Sequence, residues 1–158
     1  MITATLDLET AFLIVNTVVL PAWLLLAVAP RHMTTDALAH SAVFPVAFGL
    51  LYAGLMVFAF SSGAVPVDAD FTLLEGLTAL LKTPLAALIG WVHYLTFDLF
   101  VGAWIARDAV RRGVHHGLLV IALFFTLMTG PFGLLIYLTM RWATGKGGLK
   151  LNEGPSQT

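Results

Sequence analysis

The chain contains no cysteine. That excludes a disulfide framework, a thiolate metal site and a thiol nucleophile. Charge is scarce as well. Only 11% of residues are Asp, Glu, Lys or Arg, against about 25% in an ordinary soluble domain. The formal net charge of -1 leaves no basic field for nucleic acid, and none is expected as a partner. No glycine-rich phosphate loop, HExxH or GxSxG motif occurs. No arginine ladder of the voltage-sensor kind and no charge rings for an ion pore are present. His115 and His116 are adjacent, so on a helix they point different ways and do not make a two-ligand site. Neither a metal nor a cofactor is expected.

What the chain has in abundance is apolar residues, 59% of 158. A membrane span needs about 20 of them in a row to cross about 30 Å of hydrocarbon. Four runs qualify: 11–29, 38–60, 85–106 and 118–140. In hydrocarbon every backbone polar group must be paired internally, and long unbroken runs do not match the alternating pattern of a barrel strand. The expectation is an all-α fold, a four-helix transmembrane bundle over residues 1–142, with both termini on one side. A polar, glycine-rich tail over 143–158 reads as disordered. Thr83 can cap the third helix, with Pro84 in its first position. The segment 71–82 places Glu75, Thr78 and Lys82 on one face among leucines, which suggests a short interfacial helix; a partly ordered loop is the alternative.

The N-terminus carries Asp7 and Glu9 but no Lys or Arg, and its apolar core is longer than a signal peptide's. It reads as a retained span. The localisation expected is integral and multi-pass, in a bacterial inner membrane. Orientation is tied: Arg31, Arg107, Arg111 and Arg112 fall on one side of a four-span protein, and Lys82, Arg141, Lys146 and Lys150 on the other.

Ionisable groups inside spans are costly, about 2.5–3.5 kcal/mol or more at the centre, and are function hypotheses by default. Asp98 lies within the third run. It is either an acid/base or ligand-binding carboxylate, or a hydrogen bond locking two helices. At about 100° per residue, Trp91, Tyr94 and Gly102 share its face. His93 lies about 140° away, with Phe97 and Trp104. The two are therefore not a one-face dyad. His93 is either a site residue or a histidine satisfied by a neighbouring helix. Asn16 in the first run and His40 in the second are weaker candidates, each also able to join helices. Gly49, Tyr52 and Gly54 permit close packing. Gly130-Pro131-Phe132-Gly133 breaks the fourth run at mid-depth, because Pro131 has no N–H to donate.

The stretch from His93 to Phe100, His-Tyr-Leu-Thr-Phe-Asp-Leu-Phe, followed by Asp108, resembles the H-x-L-x-x-D-L-F core of the neoxanthin-synthase-like, abscisic-acid-deficient-type membrane proteins. Pro21 to Arg31, Phe44-Pro45 to Tyr52, and Gly130 to Gly133 resemble other parts of that family. The resemblance covers about residues 10–142, and the missing plastid presequence suggests a bacterial member. Plant members are implicated in converting violaxanthin to neoxanthin, by opening an epoxide to an allene. The resemblance therefore implies a membrane isomerase acting on a carotenoid or other isoprenoid lipid, with a site around His93 and Asp98.

The leading expectation is a cofactor-independent intramembrane enzyme, working by acid/base isomerisation on a lipophilic isoprenoid. Asp98 would be the acid and His93 the base. Trp91, Tyr94, Phe97, Trp104, Asn16 and His40 would line the substrate site. The rival is a non-catalytic isoprenoid-binding or assembly protein. Membrane lipid is an expected partner, and self-association into a homo-oligomer is open.

Overall fold

The computed structural model describes residues 7–148 and 150–152. Every regular element among them is a helix: α1 (Leu8–Val28), α2 (Met33–Leu38), α3 (Val43–Ser61), α4 (Leu74–Leu81), α5 (Pro84–Arg112), α6 (His116–Thr129) and α7 (Pro131–Ala143). Three stretches are long and apolar enough to cross a membrane: Leu8–Val28, Met33–Ser61 (α2 with α3) and Pro84–Arg112.

Helix α5 is the axis of the molecule. Its 29 residues span about 43 Å at 1.5 Å each. It starts as its sequence predicts, with the Thr83 side chain accepting from Ala86 N at 3.3 Å and Pro84 in the first turn. It ends at Gly113, whose φ of 62° suits a left-handed C-cap. α1 runs parallel to it: Asn16 meets Trp91 near one end and Val28 lies beside Val110 near the other. α3 runs antiparallel, with Tyr52 against His93 and His40, just before α3, against Arg107. Large apolar side chains such as Leu13, Leu24, Leu50 and Val57 point outward, each more than 60% exposed. Such a belt suits acyl chains. A short helix, α4, forms where the amphipathic segment 71–82 suggested one.

The fourth apolar run is not one helix. Gly130 divides it into α6 and α7, of 14 and 13 residues, and α7 turns back along α6. The path is read from contacts with α5. His116 follows the end of α5, Gly130 lies beside Asp98 in its middle, and Tyr137 and Arg141 both reach Asp108 near its end again. The reversal needs two glycines. Gly130 has φ 53° and ψ −97°, a conformation other residues seldom adopt. At Gly133 an added Cβ would sit 2.1 Å from Thr126 N, so the two arms meet there backbone to backbone. The all-α expectation holds, and three helices are long and apolar enough to span, while the fourth apolar run forms a hairpin in place of one spanning helix. A hydrophobic run signals burial, not the direction the chain takes after a break.

The reversal also breaks the tie in charge. Arg141, Lys146 and Lys150 return to the end that holds Arg31, Arg107, Arg111 and Arg112, because Arg112 donates to Lys146 O and Asn152 O, and Arg141 to Lys150 O. Seven of the eight Lys and Arg thus gather at one end, leaving Lys82 at the other. That opposite end carries Asp7, Glu9, Asp68, Asp70 and Glu75. The tail expected to be disordered runs, up to Asn152, across Arg112 and Arg141; the rest of that expectation, at 149 and 153–158, lies outside the described residues, as do residues 1–6.

Candidate functional site

His93 projects from α5 toward α3, and its neighbours follow from the helical repeat. Phe97, one turn on, packs its ring 4.7 Å from the imidazole, and Tyr52 of α3 approaches to 5.8 Å between ring centroids. His93 has no hydrogen-bond partner among the described residues. Two hollows adjoin at His93 and Tyr52. One, of about 280 Å³, is bounded by the end of α3, the 62–73 loop, α4 and the start of α5, with Met56, Phe60, Leu77 and Ile89 among its walls. The other is a furrow of about 560 Å³ along the outer face of α3 and α5, past Gly49, Thr96, Phe97 and Phe100. His93 is the one ionisable side chain shared by both, apart from the phenol of Tyr52.

The loop over the first hollow is pinned by Asp70. Its Oδ1 accepts from Thr72 Oγ1 and Thr72 N, each at 2.7 Å. These two bonds hold the Asp70 carboxyl below the usual carboxylate range. Gly76 of α4 packs directly on Asp70, so the turn positions α4 as a wall of the hollow.

Asp98 lies elsewhere. It is 8% exposed and abuts the hairpin tip, where a Cβ on Gly130 would come within 2.5 Å of its Oδ1. Its Oδ2 has no partner among the described residues. Its polar neighbour is the Tyr94 hydroxyl, one turn earlier. It lines neither the hollow nor the furrow at His93. The angular separation read from the helical repeat therefore becomes a separation of environments: apolar hollow on one side, packed hairpin tip on the other.

The remaining candidates disperse. Trp91 Nε1 donates to Asn16 Oδ1 at 3.1 Å, and its ring packs on Phe12 and Tyr94, so these form an α1–α5 seam. Trp104 meets Tyr137 edge-on at 5.8 Å, with the Arg141 guanidinium 5.9 Å from its ring. His40 sits at the basic end, with Nε2 at 3.3 Å from Pro30 O and Nδ1 at 3.5 Å from Arg107. Of the expected aromatic lining, Phe97 alone borders the furrow at His93.

Two features are poorly marked in the sequence. Tyr52 reads there as a packing residue, although a phenol in an otherwise apolar helix is an available signal. The second is a buried charge cluster. Asp108 Oδ2 accepts from Tyr137 OH at 2.6 Å and from Arg141 at 2.7 Å, while its Oδ1 accepts from Arg112 at 2.7 Å. Arg141 also donates to Gly148 O. No group of three or more His, Cys, Asp or Glu suited to a metal occurs among the described residues.

A family profile described as ABA DEFICIENT 4-like matches residues 10–137, which takes in the whole path from α1 to Tyr137. The chain belongs to the ABA DEFICIENT 4-like family. No curated protein and no solved structure matches it. Membership makes this a membrane protein of a carotenoid- or isoprenoid-related family, in keeping with the resemblance carried by His93 to Phe100. The matched region includes His93, Tyr52, Asp98 and the Gly130 turn, and stops before Arg141.

Proposed function

We propose that this ABA DEFICIENT 4-like protein is an intramembrane isomerase of a carotenoid or other isoprenoid lipid, acting without a cofactor at His93 and Tyr52. The observation that supports this most directly is an exposed imidazole, without a hydrogen-bond partner among the described residues, beside a phenol where an apolar hollow meets a furrow on the outer face of the helices. A hollow of about 280 Å³ suits the ring end of such a lipid; the polyene would lie along the furrow between α3 and α5. Small-molecule sites commonly combine apolar walls with a few convergent polar groups in this way.

Opening an epoxide, or shifting a double bond, needs one proton removed from carbon and one delivered nearby. His93 takes the carbon-bound proton. Tyr52 donates its phenolic proton to the epoxide oxygen as the C–O bond breaks. Transfer from the imidazolium to the phenolate restores both groups, so atoms and charge balance within an isomerisation. In this proposal Tyr52, and not Asp98, carries the acid role, because Asp98 borders neither the hollow nor the furrow.

We also read α6–α7 as a re-entrant hairpin. Each arm is about 20 Å long at 1.5 Å per residue, short of the hydrocarbon thickness, and Gly130 at its tip is buried. Irregular backbone at membrane depth is tolerated only where protein covers it.

The test is co-expression with a carotenoid pathway, followed by mass spectrometry and chromatography of the pigments. The expected result is a new isomer of unchanged mass with the native protein. Its yield should fall at least 100-fold for His93→Gln, the lower end of general acid–base effects. A pigment that co-purifies unaltered would instead support the non-catalytic binding reading.

A further inference from the structure

We propose that the basic end of the molecule faces the cytoplasm and seats the headgroup of an anionic phospholipid, in the groove between the end of α1 and the α5–α6 turn. This does not depend on the reading of the His93 site, which lies toward the other end of α5.

The charge distribution comes first. The basic end carries seven Lys and Arg against two carboxylates among the described residues, Asp36 and Asp108. Asp108 is already neutralised, by Arg112 and Arg141 at 2.7 Å each. The other end carries five carboxylates and Lys82. Cytoplasmic ends of membrane proteins hold the excess of Lys and Arg, and the cytoplasmic leaflet is the one rich in anionic lipid. A net positive end beside that leaflet is complementary to it.

The groove supplies a place for one headgroup. It has a volume of about 660 Å³ and a two-part lining. Arg31, His32 and His116 are the polar groups around it, and Val28, Val110 and Leu119 give the apolar floor. His32 is set up as a donor: its Nδ1 accepts from Thr34 N at 3.2 Å to cap α2, which leaves the proton on Nε2. His116 opens the first turn of α6, where the helix end adds a partial positive charge. The floor continues onto the apolar flanks of α1 and α6, so an acyl chain leaving the groove passes straight into the bilayer. A phosphate with no lipid attached would meet the same cations but leave that floor empty.

The experiment uses the full chain, purified in detergent and reconstituted in nanodiscs. Binding is measured for dioleoyl phosphatidylglycerol, for dioleoyl phosphatidylcholine with the same chains, and for inorganic phosphate. Phosphatidylglycerol should bind at least 10-fold more tightly than phosphatidylcholine. Arg31→Gln should weaken it about five-fold, the equivalent of about 1 kcal/mol per basic residue near a membrane surface. Arg31→Lys, which keeps the charge, should retain it. Lys82→Gln, at the other end, should leave it unchanged. Thermal melting confirms that the variants remain folded, and Arg31→Lys controls for loss of the side chain itself. Equal binding of the two lipids would overturn the proposal. So would an Arg31→Gln variant of native affinity, or inorganic phosphate competing as strongly as the lipid.

Discussion

Arg141 of α7 and Asp108 of α5 meet at 2.7 Å with both side chains fully buried. They are 33 residues apart in sequence, and their contact holds the returning arm of the hairpin against the central helix. Tyr137 and Arg112 share the same carboxylate, and no other described residue ties α5, α7 and the tail together so directly. Breaking a buried pair by removing one partner costs about 3–5 kcal/mol, because the other charge stays buried. Asp108→Asn strands two arginines, whereas Arg141→Met leaves Asp108 its bond from Arg112. We expect Asp108→Asn to destabilise by about 3–5 kcal/mol and Arg141→Met by less, as read from thermal melts in one detergent. The reverse order would show that the bonds from Arg141 to the tail carbonyls matter more than its pairing with Asp108.

Gly133 is expected to tolerate nothing larger. Its Cβ would lie 2.1 Å from the Thr126 backbone nitrogen, and backbone cannot step aside as a flexible side chain can. Gly133→Ala should open the hairpin and sharply lower the yield of folded protein. Gly130→Ala combines a left-handed φ with contact on Asp98; a strained backbone of that kind costs about 1–3 kcal/mol. Native-like melting of Gly133→Ala would mean that the arms are held elsewhere.

Topology can be read without background, because the chain has no cysteine. Single cysteines at Asp68 and at Lys146 should respond oppositely to a membrane-impermeant maleimide in intact cells. Asp68 should be labelled from outside, and Lys146 only after permeabilisation. Labelling of both from one side would restore an even number of crossings.

The site makes a graded forecast. Pigment conversion should fall by about 10²–10⁴-fold in His93→Gln, as for a general base, and substantially in Tyr52→Phe. Asp98→Asn should lose less than 10-fold, since its carboxyl adjoins neither hollow. Matched amounts of each variant in membranes, with products quantified, decide the order. If Asp98→Asn were the most damaged, the proton donor would have to be sought at the hairpin tip.

Acid should loosen the loop over the hollow. The Asp70 carboxyl is held low by its bonds from Thr72 Oγ1 and Thr72 N. A group whose folded value is depressed contributes order that is fully present above its unfolded value, and that is lost as pH falls through the folded one. Hydrogen exchange over 62–73 should thus stay level down to ordinary carboxylate pH and increase below it, after correction for intrinsic rates. Asp70→Ala should exchange fast at every pH.

The apolar runs, the Thr83–Pro84 start of α5, the break at Gly130 and the separation of His93 from Asp98 around one helix are all legible in the amino-acid order. Each follows from local chemistry: burial in hydrocarbon, capping, a missing N–H, a fixed angular repeat. The end of α5 was less legible. The apolar run stops at 106, yet the helix continues to Arg112 and caps at Gly113, with Asp108 paired to Arg112 and to Arg141 from a distant segment. Tyr52 becomes the neighbour of His93 only because α3 lies antiparallel to α5. The hairpin was decided by tertiary structure alone. A Gly-Pro break says that the chain bends, but its direction depends on where Arg141 finds a countercharge, and on whether Gly133 can press against Thr126. That single reversal moved three basic residues to the other end of the molecule. Net orientation is a sum over positions in space, so no count along the chain could have supplied it.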